Sequence, residues 1–151
     1  MAEPLVYPVH SRDVWKVWPK AIWHIGRALL HSRVWSLDAL EDWLEDARAQ
    51  LIVYGSPRDV VTGYPVHVRA AMVTQFPDHG KTLLIYAFGA DSLAETLPFL
   101  DTIERLGKRK GAEQIELCAP PTRRGWLRLL KTRGYAPHRQ EAEGMILRKS
   151  L

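Results

Sequence analysis

The sequence is poor in the residue types that mark special chemistry. Among 151 residues there is one cysteine, Cys118, so an internal disulfide is excluded and a reducing, cytoplasmic setting is expected. No apolar run approaches the roughly 20 residues that a membrane-crossing helix requires; Leu83-Leu-Ile-Tyr-Ala-Phe88 is typical of the longest. The opening stretch, Met1 to Pro8, lacks the charged head and apolar body of a secretory signal. The six histidines, His10, His24, His31, His67, His79 and His138, show no close pairing with a carboxylate, so no metal site is expected. Repeats, low-complexity tracts and linkers are missing too, which leaves residues 1–151 as one expected domain. A chain of this length buries roughly 68–70% of its unfolded surface, enough for a substantial core.

What is present is uneven in charge. Residues 1–104 hold 9 Lys/Arg against 13 Asp/Glu, and residues 105–151 hold 12 against 4, so a net charge of +4 conceals halves of −4 and +8. Lys108-Arg-Lys110, Arg123, Arg124, Arg128, Lys131 and Arg133 gather positive charge where a phosphate-bearing partner could be held. Solvated helix faces and cation-favouring helix C-termini account for the same residues. No nucleic-acid motif or aromatic platform accompanies them, so nucleic acid ranks last among the partners considered.

Periodicity sets the element order. Trp15, Trp18, Ile22, Ile25 and Leu29 recur at helical spacing from Val14 to about His31, with Pro19 inside as a kink or a true start. Ser36 is a natural N-cap for a second helix carrying Leu37, Leu40, Leu44 and Ala47, expected to reach about Ala49. Strands are expected over Leu51–Tyr54, Pro65–Thr74 and Lys81–Ala87, the last two as an antiparallel pair about the turn Pro77–Gly80. A helix bearing Phe99, Leu100, Ile103 and Leu106 follows, opened by Ser92 with Glu95 or, alternatively, nearer Pro98, and closed by Gly111. Then come a strand over Gln114–Cys118, a helix with Trp126, Leu127, Leu129 and Leu130 ending at Gly134, and strands near Tyr135–Arg139 and Gly144–Arg148. The order is α-α-β-β-β-α-β-α-β-β, an α+β arrangement with a mixed, mostly antiparallel twisted sheet flanked by helices.

That order resembles the Gcn5-related N-acetyltransferase (GNAT) superfamily over nearly the whole chain. The most specific match is Leu129-Leu-Lys-Thr-Arg-Gly134-Tyr135, which lies over the superfamily's helix end with glycine and an aromatic residue after it; glycine takes the left-handed cap without penalty. The chain is also similar, at the level of pattern, to small phage-encoded proteins with a Trp-rich first helix and a Trp126–Tyr135-like segment, some of them internal virion or assembly proteins. The resemblance implies acetyl-CoA as cofactor, an acyl-CoA-dependent N-acetyltransferase with an unidentified acceptor as function, and the host cytoplasm or virion as location. The alternative it implies is a non-catalytic scaffold acting through protein contacts.

The superfamily's pyrophosphate loop falls on Ala87-Phe-Gly-Ala-Asp-Ser-Leu-Ala94, so Ala87, Phe88, Gly89 and Ala90, with Arg123, are the implied cofactor-binding residues. Only one glycine stands there, and Asp91 puts negative charge where an anion would sit, an opposition of roughly 1 kcal/mol. The tyrosine that often protonates the departing thiolate falls on Leu130, which carries no proton, and an asparagine seven residues before it falls on Arg123. Loss of a positioned acid costs about 10²–10⁴-fold. Glu116, His67 and His79 are the candidate bases, and no catalytic residue is assigned. Cys118 reads as a small buried apolar residue. Five of six tryptophans lie in the first 43 residues; Trp23 and Trp43 fall off the apolar stripes and are the candidate anchors for a protein partner or self-association.

Overall fold

The computed structural model describes residues 5–30, 36–75, 81–119, 124–142 and 144–151, with the backbone alone for 93–95. Strand β1 is Leu5–Val9; a 3-10 turn, Ser11–Asp13, leads into helix α1, Val14–Leu29, and α2 spans Leu37–Glu45. Strands β2, Gln50–Gly55, β3, Val68–Gln75, and β4, Thr82–Ala90, precede α3, Leu93–Arg109. Strand β5, Gln114–Ala119, α4, Arg124–Thr132, β6, Ala136–Glu141, and β7, Gly144–Ser150, complete the order. The seven strands form one sheet in the order β1-β2-β3-β4-β5-β7-β6. Only β4 and β5 run parallel; the other neighbours are antiparallel.

Alternation along the strands supplies two cores. Ile52, Met72, Leu83, Ile115 and Leu117 face α3 and α4, where Phe99, Leu100, Ile103 and Leu130 meet them. Leu51, Val53, Ala71 and Val73 face the other way and take Val17, Trp18, Ala21 and Ile25 of α1 with Leu40 and Leu44 of α2. Residues of one strand separated by two lie on one face, so each strand feeds both layers. Helix α1 continues through Pro19, and its Trp18 indole N–H donates to Glu41 Oε1 on α2 at 2.8 Å.

The expected order needs one correction at its start: strand β1 precedes the first helix. Its signal, Val6, Tyr7 and Val9, is interrupted by Pro8, which an edge strand tolerates because its outer N–H is unused. The second helix also stops at Glu45, short of Ala49. Ala47 takes a left-handed φ of 58° and Arg48 N–H turns back to Trp43 O at 2.8 Å, ending the helix before β2. The Ser36 cap stands as expected, its hydroxyl accepting from Ala39 N–H at 3.2 Å. The third helix opens at Leu93, directly after Ser92, and so contains Pro98. Gly111 and Gly134 close α3 and α4 with φ of 92° and 91°, and Tyr135 N–H reaches Leu130 O at 3.0 Å, the bond that seals a left-handed cap. The turn Pro77–Gly80, with His79, lies outside the described residues, as do Trp35 and Arg123.

Candidate functional site

The site grows from an interruption in the sheet. Strands β4 and β5 pair from Thr82↔Gln114 to Ile85↔Leu117 and no further, although β4 continues to Ala90 and β5 to Ala119. The cause is local. Tyr86 is an extra residue between Ile85 and Ala87 in the register against β3, and such a bulge bends its strand. Beyond it β4 leaves β5.

The main chain of β4 past the bulge has a defined orientation. Asp91 N–H donates to Arg69 O at 2.9 Å. Antiparallel alternation then turns the polar groups of Ala87 and Gly89 toward β3 and those of Phe88 and Ala90 toward the opening. Arg27 of α1 confirms the sense, its Nη2 donating to Ala90 O at 2.6 Å. The opening is thus bordered by strand edge that β5 does not pair.

Two side-chain surroundings flank it. On the α3/α4 face, Phe88 stands edge-to-face with Phe99 and with Trp126, both at 5.2 Å between ring centroids, forming an aromatic floor. On the opposite face a groove of about 270 Å³ is lined by Leu84, Ile85, Tyr86, Glu116, Leu117, Cys118, Arg139, Glu141 and Ile146. Glu116 is its centre. The side chain is 7% exposed, and burying a carboxylate this deeply requires compensation. Arg139 Nη1 supplies it at 2.5 Å and Arg148 Nη2 at 3.4 Å, while Arg139 Nε holds Glu141 at 2.6 Å. Hydrogen bonds to these carboxylates hold the Arg139 guanidinium in its charged form even more firmly than usual.

Tyr86 projects beside this network. Its hydroxyl donates to Gln75 Oε1 at 2.8 Å; the direction is fixed because Gln75 Nε2 is committed to Arg48 O at 2.8 Å. Trp43 of α2 stands edge-to-face on its ring at 5.4 Å. Burial, and then the negative charges of Glu116 and Glu141, push the hydroxyl above the ordinary tyrosine range, so it stays neutral.

The structure brings some expected residues together and separates others. Ala87, Phe88, Gly89 and Ala90 adjoin the opening, but they are strand, and the turn from β4 to α3 is only Asp91-Ser92. The expected loop over 87–94 is corrected accordingly: Gly89 serves close packing, because a Cβ there would overlap the carbonyl oxygen of His24 on α1. Leu130 is fully buried in the core. Glu116 lies in the groove, whereas His67 is exposed on the β2–β3 loop, away from it. Cys118 is half-buried in the groove wall instead of fully enclosed. Trp23 is 68% exposed, and Trp43 roofs Tyr86. Sequence reasoning missed Arg139, Glu141, Arg148 and Tyr86. The available signal was Glu116 itself, a carboxylate between the core residues Ile115 and Leu117.

Solved structures share this fold along nearly the full chain. An acetyltransferase of the GNAT family from Elizabethkingia anophelis, with acetyl-CoA bound, superposes with a TM-score of 0.71 at 13% identity, covering 100% of both chains. The chain has the GNAT fold. Tetrahymena GCN5 matches the same fold with a TM-score of 0.67 at 9% identity, over 99% of this chain and 96% of that one. The PaiA N-acetyltransferase of Thermoplasma acidophilum, in complex with coenzyme A, matches at 0.63 and 8% identity, over 99% and 100%. No family model and no curated protein sequence matches the chain. Within the GNAT fold seen here, no helix among the described residues is long and apolar enough to cross a membrane, and no cluster of side chains there is arranged to hold a metal ion.

Proposed function

We propose that the chain is an acyl-CoA-dependent N-acyltransferase that transfers acetyl groups. The observation that carries this is the parting of β4 and β5 after Ile85/Leu117, which leaves the Phe88–Ala90 edge of β4 without a strand partner. A pantetheine arm carries two amides, and its donors and acceptors suit such an edge. The pyrophosphate would lie at the start of α3, where main-chain N–H groups and the helix dipole favour an anion. The acceptor amine would enter from the groove at Tyr86 and Glu116. There, Glu116 and Glu141 share Arg139, so the groove presents paired charges and not a lone carboxylate. The GNAT structures with coenzyme A or acetyl-CoA bound support the reading. Phage or prophage origin, with host cytoplasm or virion as location, rests on the Trp-rich first helix and the Trp126–Tyr135 segment.

Calorimetric titration with acetyl-CoA and with CoA tests this. A saturable heat with one site per chain is expected. Absence of binding at millimolar ligand overturns it.

The second reading is a scaffold that binds protein partners, or itself, through the first two helices. The observation favouring it is Trp23, which is 68% exposed on α1, with Trp15 of the same helix at 50%. Light scattering on the wild type and on Trp23→Ala measures it: an assembly that dissociates in the variant supports the scaffold, and a monomer in both removes self-association.

A further inference from the structure

His24 is a buried titratable group that nothing above uses. It lies in α1 at 3% exposure, with Nε2 2.8 Å from Val68 O. A carbonyl only accepts, so Nε2 carries the hydrogen whether or not the ring is charged. In the neutral ring Nδ1 is therefore a bare acceptor. It is buried with no hydrogen-bond partner, and it faces Asp91 Oδ1 at 3.8 Å, acceptor against acceptor. Leaving such an atom unsatisfied disfavours the neutral ring. Protonation reverses the contact, because Nδ1–H then points at a carboxylate.

Asp91 occupies the two-residue turn between β4 and α3, a helix of 17 residues. With its side chain 58% exposed, its carboxylate opposes any second anion at that helix start. We propose that protonation of His24 draws Asp91 inward and releases the start of α3 to an anion, so that pyrophosphate binding takes up one proton. This rests on the donor site read above and describes its regulation. Asp91 is the charged group in contact with the ring; the other charged and titratable groups near it along α1 and β3 include Lys20, Arg27, His67 and Arg69. Lys20 Nζ is held on Pro65 O at 3.4 Å and Arg27 Nη2 on Ala90 O. His67 is exposed on the loop before β3.

The probe is dephospho-CoA, whose pyrophosphate diester lacks the titrating 3′-phosphate. Its dissociation constant is measured by calorimetry between about pH 8 and pH 5, the range in which imidazole changes charge. Binding should tighten as pH falls, by about 5- to 150-fold in total, the usual span of coupling between two sites. Asp91→Asn, at an exposed position, should bind more tightly than wild type at pH 8 and lose the pH dependence. His24→Gln keeps a donor for Val68 O and should be flat as well. A pH-independent wild type, or a slope that persists in Asp91→Asn, overturns the coupling and leaves the donor reading intact. Failure to bind at every pH overturns both.

Discussion

Gly89 of β4 and His24 of α1 meet backbone to backbone. A side chain at position 89 has nowhere to go: its Cβ would overlap the His24 carbonyl oxygen and press on the carbonyl carbon and Cα behind it. Neighbouring residues hold the same seam together, Arg27 on Ala90 O and the His24 ring on Val68 O. The first helix is thereby fastened to the stretch of β4 that has left β5.

Gly89→Ala should consequently destabilise the chain by about 1–3 kcal/mol, the range for forcing one methyl into a filled space, and at its upper end because backbone yields less than side chain. For a chain of this size that lowers the melting temperature by roughly 2–4 °C per kcal/mol. Gly63 is the control, since it sits at φ 80° with nothing within 4 Å of a Cβ, so its substitution costs only backbone strain. A Gly89→Ala melting curve superimposable on wild type would show that the seam is loose.

Glu116 is expected to be structural as well as groove-lining. Glu116→Gln removes the charge that faces Arg139 and Arg148, leaving both guanidinium groups with a neutral partner in a site where the carboxylate is 7% exposed. Breaking a fully buried pair costs about 3–5 kcal/mol; the part-exposure of both arginines brings the expected loss to roughly 1–3 kcal/mol. Urea unfolding measures it, and an unchanged midpoint would mean that solvent screens the network.

Alkaline pH should weaken the fold through Tyr135. Its hydroxyl donates to Glu104 Oε2 at 3.2 Å, and burial, followed by the charge of Glu104, raises it far above the usual tyrosine range. The folded state thus prefers the protonated phenol. That contribution is complete below the unfolded value of about 10 and is lost as pH climbs from there toward the folded one. Thermal melts between about pH 9 and pH 11 should show a steeper decline for wild type than for Tyr135→Phe, and parallel declines would refute the assignment.

Trp23 and Trp43, alike as off-stripe residues in the sequence, should behave differently. Trp23→Ala is expected to change stability by no more than about 0.5 kcal/mol, as surface substitutions do. Trp43→Ala removes an edge-to-face partner from Tyr86, at a cost of about 1–2 kcal/mol. Chemical denaturation of the two variants side by side decides it.

Much of the fold was legible because helices and caps are written in neighbouring residues. The α1 helix, the Ser36 cap, and the Leu130-Gly134-Tyr135 closure all stand where periodicity and turn chemistry put them, although the buried face of α1 runs through Val14, Val17, Trp18, Ala21 and Ile25 and leaves Trp15 of the expected stripe 50% exposed. Strand β1 was not legible, because Pro8 interrupts the pattern and the partner that permits it, β2, lies more than forty residues on. The candidate site was legible only in part. Glu116 stood out as a carboxylate in an apolar strand, but nothing local pairs it with Arg139 and Arg148, which come from β6 and β7.

The amino-acid order alone determined which segments coil, which extend, and which face of each is apolar, since those are set by interactions over a few residues. Tertiary structure decided where β4 and β5 part, why position 89 admits only glycine, and which charges neutralise Glu116. Each of those depends on strand register and helix docking between segments far apart in the chain, and a one-residue shift at Tyr86 would redirect every side chain beyond it.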